Sequence, residues 1–141
     1  MKLAVIDTNL ASFFFGERPE LALYEDDCRG RRLEVSFQTV GELLQGAETK
    51  KWGSERRRAL RAFVSSLRVV PYDRGVVKAW ARVTAAAIAK GRALTDGDGW
   101  IAATAVHRRA TLITHDADFV GLDIEGLDVI CHAPDVDEAT P

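Results

Sequence analysis

Leu3-Ala4-Val5-Ile6-Asp7-Thr8-Asn9 sets four apolar residues directly before an acid and two polar side chains. A run this short and uniformly apolar reads as a strand buried on both faces, as inside a parallel sheet covered by helices on both sides. Asp7 then closes the strand at its carboxyl end. Outward from there, further candidate strands recur at Leu33–Phe37, Arg68–Val70, Thr111–Thr114 and Asp128–Cys131. Helical segments lie between them at Thr8–Phe15, Pro19–Arg29, Val40–Thr49, Ser54–Leu67, Gly75–Lys90 and Gly99–Arg109. This alternation predicts an α/β domain with three layers, a central, mainly parallel sheet of about five strands flanked by helices.

A chain of 141 residues suits one such domain, with a core large enough to need no covalent staples. Cys28 and Cys131 are too few for a disulfide framework and lack metal-site spacing, so reduced thiols are expected. The amino terminus meets Lys2 and Asp7 before any apolar run long enough for a signal peptide or a membrane span, which predicts a cytoplasmic protein with no membrane partner. Residues 1–131 are expected to form the domain, and the acidic stretch 132–141, with two prolines, a loosely packed tail. Nineteen basic against 21 acidic residues give a net charge of −2, which makes no global case for nucleic-acid binding. Distribution matters more, because Lys50, Lys51, Arg56, Arg57, Arg58 and Arg61 crowd one stretch around Trp52. That stretch reads either as a solvated helix face or as a surface for phosphates with a ring for base stacking.

The acids fall on the scheme unevenly. Asp7 ends the first strand, Asp116 follows Thr111–Thr114, Glu42 is placed in the first turn of the helix after Leu33–Phe37, and Asp98 opens the helix of "DGWIAATA". In a parallel sheet, strand carboxyl ends and the starts of the following helices share one edge, where open α/β folds bind ligands. Each acid also has a purely local reading: Thr95 with Asp98 and Thr39 with Glu42 fit capping boxes, and Asp7 and Asp116 fit strand-end turns. Local readings do not explain a shared edge. Two carboxylates about 4 Å apart repel by roughly 4 kcal/mol at an effective dielectric near 20, so a convergent set calls for a cation. With no histidine or cysteine grouping in sequence, Mg²⁺ or Mn²⁺ suits such a set better than Zn²⁺.

"VIDTN" with Asp7, "TVGELLQG" with Glu42, "DGWIAATA" with Asp98 and "LITHDADF" with Asp116 together resemble the PIN domain, in particular the VapC-type ribonuclease toxins of bacterial toxin-antitoxin pairs. The resemblance implies a metal-dependent endoribonuclease that acts as a toxin, forms a homodimer and is silenced by a cognate antitoxin protein. By that likeness Asp7, Glu42, Asp98 and Asp116 match the acidic metal-site positions, and Thr8, Asn9 and Thr114 match polar residues that support them. Asp96 competes with Asp98, and Asp118 with Asp116. Asp98 is preferred for its spacing to Ile101-Ala102-Ala103, with Asp96 kept as a supporting residue, and Asp116 for its nearness to the strand end. The chain departs from the family at Gly99-Trp100, where bulky apolar pairs are common; the glycine there either weakens the helix start or lets substrate backbone approach.

Two further readings stand beside this one. Asp7 as the nucleophile of an aspartyl-phosphate phosphotransferase lacks the second aspartate two positions on. A non-catalytic PIN-like binding module keeps the acids as caps only. Elsewhere, Phe13, Phe14 and Phe15 read as core or as part of a partner groove, Trp80 and Val83 as core or dimer seam, and His115 as a surface residue near the predicted site rim.

Overall fold

A computed structural model describes residues 2–134; of the tail read at 132–141, residues 135–141 lie outside the described residues. Five strands form one sheet in the order β3-β2-β1-β4-β5: β1 (Lys2–Ile6), β2 (Arg31–Ser36), β3 (Val69–Val70), β4 (Thr111–Thr114) and β5 (Val129–Cys131). Every pairing is parallel, with Ala4 opposite both Leu33 and Thr111. The order reverses at β1, so the connections leave β1 and β4 in opposite directions and open a crevice at their carboxyl ends. Asp7 and Asp116 lie there.

The opening run behaves as its composition requires. Leu3 and Val5 face one core, packed with Leu112, Val129, Val83 and Ile101, while Ala4 and Ile6 face the other with Leu10, Tyr24, Leu43 and Ile113. Helices α1 (Thr8–Gly16), α3 (Phe37–Thr49) and α4 (Ser54–Ser66) cover the second side, and α5 (Arg74–Ala89) and α6 (Asp96–Arg108) the first. No helix among the described residues is long and apolar enough to cross a membrane.

Three local expectations are corrected. Pro19–Arg29 is not one helix: a 3₁₀ segment Pro19–Tyr24 gives way to the four-residue α2 (Glu25–Cys28), because Tyr24 turns out of helical geometry to bury its ring in the core. Helix α3 starts at Phe37 with Ser36 as its cap, its hydroxyl accepting from the Gln38 amide, so Thr39 is not a cap and Glu42 lies in the second turn. His132 is not part of a loose tail, since its backbone N–H donates to the Tyr24 hydroxyl at 3.0 Å and its Nε2 lies 2.7 Å from Asp27. Thr95, by contrast, caps α6 as expected, accepting from the Asp98 amide.

Gly99 resolves in favour of packing. A Cβ there would sit 2.8 Å from Thr84 Cγ2 and 3.1 Å from the Trp80 Nε1, so the glycine lets α5 and α6 approach closely. It is buried against α5 and offers nothing to a substrate backbone.

Candidate active site

Asp7 is built into the crevice by three local forces. The strand ends on it, its Oδ1 caps α1 by accepting from the Leu10 amide at 2.9 Å, and its Oδ2 accepts from the Thr114 hydroxyl at the end of β4. It is 3% exposed. Burial lifts its carboxyl above the usual carboxylate value, the bonds from Thr114 and Leu10 oppose that lift, and the Asp116 charge adds to it. Thr114 in turn accepts from the Asp116 amide at 2.9 Å, locking the two strand ends together.

Asp116 caps a short 3₁₀ turn, Ala117–Phe119, by accepting from the Asp118 amide. That turn folds Asp118 back toward Asp98. One oxygen each from Asp98, Asp116 and Asp118 lie within 4.8 Å of one another. Sequence reasoning set Asp118 aside in favour of Asp116; the coordinates place both in the cluster.

Asp98 lies in the first turn of α6, half-buried. Partial burial, then the charges of Asp116, Glu42 and Asp118, push its carboxyl up to about 6 against a hydrogen bond from Thr95. Glu42 flanks the cluster from α3, where its Oε1 accepts from the Thr8 hydroxyl at 3.0 Å. Gly97 closes the gap between these helices, its missing Cβ position 3.1 Å from Gln38 Nε2 and 3.7 Å from the Glu42 carboxylate. Asp7 and Glu42 therefore sit beside the three-oxygen group without belonging to it, Asp7 next to the Asp116 charge and Glu42 next to Asp98. Asn9 and Asp96 are exposed, with no side-chain hydrogen bond among the described residues.

The basic stretch divides. Arg57 is tied to the fold, with bonds to Glu48 at 2.6 Å, to the Ala47 carbonyl in the last turn of α3 and to the Trp52 carbonyl in the loop that follows. Trp52 is engaged within the fold, with Phe15 stacked on it at 5.9 Å and the Arg56 guanidinium 3.8 Å from its centre. Lys50 and Arg56 line a groove of about 340 Å³ that also reaches Thr8 and Glu42, and Lys51 stands exposed. His115 is held away from the acids, its Nδ1 hydrogen-bonded to Tyr24 and its ring edge-on to Phe13. A cavity of about 660 Å³, lined by Arg82, Arg109, Glu125 and Asp128 among others, surrounds the start of β4 at the opposite edge.

The donor set is all oxygen, and burial together with the charges of Asp116 and Asp118 raises the proton affinity of Asp98, a condition that a hard divalent cation relieves. The residues present fit such an ion. In metal-free protein the burial of Asp98 and the charges around it have a measurable sign. A carboxyl raised from an ordinary value near 4 to about 6 binds more protons folded than unfolded, so stability falls as pH rises across that interval. With chelator present, Asp98→Asn is expected to melt about 3 °C above the parent at pH 7, the effect being reduced by solvent at a half-exposed group, and to lose that advantage near pH 4. A gap that stays the same across pH would show that the Asp98 carboxyl is not raised by its burial and its neighbours.

A PIN domain family model matches residues 4–125 of the chain. The chain belongs to the PIN domain family. This PIN domain is 30% identical over 136 residues to "VapC ribonuclease Y4jK" of Sinorhizobium fredii, covering 91% of this chain and 96% of that one. It is 33% identical over 95 residues to "Ribonuclease VapC5" of Mycobacterium tuberculosis, covering 65% of this chain and 70% of the relative. Among solved structures, VapBC-5 of Mycobacterium tuberculosis, described as a member of the VapBC family of toxin-antitoxin systems, superposes with a TM-score of 0.69 at 26% identity, covering 94% of this chain and 100% of that one. The five-stranded parallel sheet of this chain, covered by helices on both sides, is the α/β architecture read from the sequence.

Proposed function

We propose that this PIN domain is a Mg²⁺- or Mn²⁺-dependent endoribonuclease and the toxin of a toxin-antitoxin pair, working as a homodimer and silenced by a cognate antitoxin protein. The observation that carries this reading is the group of Asp98, Asp116 and Asp118 oxygens within 4.8 Å, at a crevice flanked by Asp7 and Glu42. Relatives named as VapC ribonucleases, and a related chain solved as part of a toxin-antitoxin pair, support the substrate and the partner.

Asp98, Asp116 and Asp118 would hold the ion, with Asp7 and Glu42 adding negative charge from either side. A bound divalent cation supplies Lewis acidity toward a phosphate oxygen and toward the attacking water. Thr114 fixes the rotamer of Asp7, and Thr8 fixes Glu42 by one oxygen. The second Glu42 oxygen is left to take a proton from the attacking water, the role of general base. Lys50 and Arg56, along the groove that reaches Glu42, hold the RNA backbone by charge. Nothing favours a phosphoaspartate at Asp7, since both its oxygens are engaged and it is almost fully buried.

Purified protein is expected to cut RNA with Mg²⁺ or Mn²⁺ and to stop when chelator is added, with activity restored by excess metal. RNA left intact under all metal conditions, together with no calorimetric binding of Mn²⁺ at millimolar concentration, would identify a non-catalytic binding module instead.

A further inference from the structure

Four aromatic rings gather on the flank of this crevice and take no part in the metal chemistry. Trp80 and Trp100 stack at 5.0 Å with 20° between their planes, and Gly99 packs beneath against Trp80. Phe37 meets Trp100 edge-on at 5.6 Å, and Tyr72 meets both Phe37 at 5.5 Å and Trp100 at 5.7 Å. Trp80, Trp100 and Phe37 are partly buried, and Tyr72 is the exposed member of the group. Tyr72 is 63% exposed, an unusual place for a large ring that carries no hydrogen bond among the described residues.

The ring cluster and the acids share one helix junction. Gly97 and Trp100 are three residues apart and so lie on one face of α6. Gly97 abuts Gln38 and Glu42 of α3, while Trp100 abuts Phe37 of the same helix. The rings thus continue the surface that begins at Glu42. Arg74 and Lys78 lie one turn apart on α5, which begins two residues after Tyr72; both are exposed and neither has an ion pair among the described residues. A flat aromatic face next to unpaired cations, continuous with a phosphodiester-cleaving centre, has the chemistry that holds a single-stranded nucleic acid: a ring for the base and positive charge for the backbone.

We infer that Tyr72, backed by Phe37 and Trp100, is a stacking platform for an unpaired base of the RNA beside the scissile bond, with Arg74 and Lys78 holding the adjoining phosphates. The inference rests on the ribonuclease reading and adds a subsite to it. Stacking tolerates any base, so the platform favours unpaired over duplex RNA without selecting a sequence.

Steady-state cleavage of a short single-stranded RNA carrying a fluorophore and a quencher tests this. Tyr72→Ala is expected to raise KM about 5- to 100-fold, with the loss falling on KM rather than kcat. Tyr72→Leu, which keeps apolar bulk but has no ring face, should behave like the alanine variant, and Tyr72→Phe should return KM to within about twofold of the parent. Calorimetric Mn²⁺ affinity is expected to stay unchanged in all three. A parent-like KM in Tyr72→Ala would overturn the platform while leaving the nuclease standing. A Tyr72→Ala protein that sediments as a smaller species than the parent would overturn it too, by showing that a second copy of the chain covers the rings. Failure of the unsubstituted protein to cut the probe with metal present would remove the nuclease reading first and the platform with it.

Discussion

Asp7→Asn is expected to lower RNA cleavage by roughly 10³-fold, about 4 kcal/mol of transition-state stabilisation, while leaving the fold intact. The amide oxygen of asparagine can accept from the Leu10 amide as Asp7 Oδ1 does, so the start of α1 keeps its cap. Its amide nitrogen can donate to the Thr114 oxygen, which already accepts from the Asp116 amide and has a second lone pair free. What disappears is one negative charge at the centre of the crevice. The ionised Asp7 is held there against burial, so its neutral replacement should melt slightly above the parent in chelator and respond less to Mn²⁺. Cleavage rate, metal-free melting temperature and the Mn²⁺-induced rise in melting temperature form the measurement. Loss of activity with a lower melting temperature would mean that Asp7 is a structural cap and that the metal argument has been misplaced.

The same residue marks how far the sequence could be read. Leu3 to Asp7 contains both the two-sided burial and the strand-end acid, because a fully apolar run fits few other settings in a domain of this size. Thr111–Thr114 with Asp116 carries the same pattern, and its bounds in the structure are those read from the sequence. Helix starts were less legible. Phe37 looks like the last residue of a strand because aromatic side chains favour sheets, yet the Ser36 hydroxyl caps the chain one residue earlier and moves Glu42 from the first turn to the second. Asp118 was missed because its position depends on a three-residue 3₁₀ turn, too short to leave a periodic signal. Arg57 and Trp52 counted as available for RNA only while their partners were unknown; Glu48, Phe15 and the end of α3 are brought to them by packing between helices. His132 lies 108 positions from Tyr24, and no local pattern reports a bond over that separation.

Arg108→Ala is expected to destabilise the protein by about 3 kcal/mol, seen as a melting temperature roughly 10 °C lower. Glu34 lies in β2, 5% exposed, and Arg108 in the last turn of α6 reaches it with two parallel bonds, Nε at 2.8 Å and Nη2 at 3.0 Å. The pair ties the end of α6 to the sheet, and the helix it holds carries Asp98 at its other end. Truncating the arginine strands a carboxylate in a dry position, with the half-exposed Arg32 left at 3.8 Å as its nearest charge. That cost is one of desolvation rather than of a lost attraction, so removing the charge as well should recover most of it. Arg108→Ala with Glu34→Met is therefore expected to melt within about 3 °C of the parent, above the single variant, with both followed by the same thermal scan. The single variant should still cut RNA well below its melting point, because no part of the acid cluster touches Arg108. If it melts within 2 °C of the parent, water reaches Glu34 despite its burial. The hold on α6 would then rest on the packing of Ile101, Ala102 and Ala105 against the sheet.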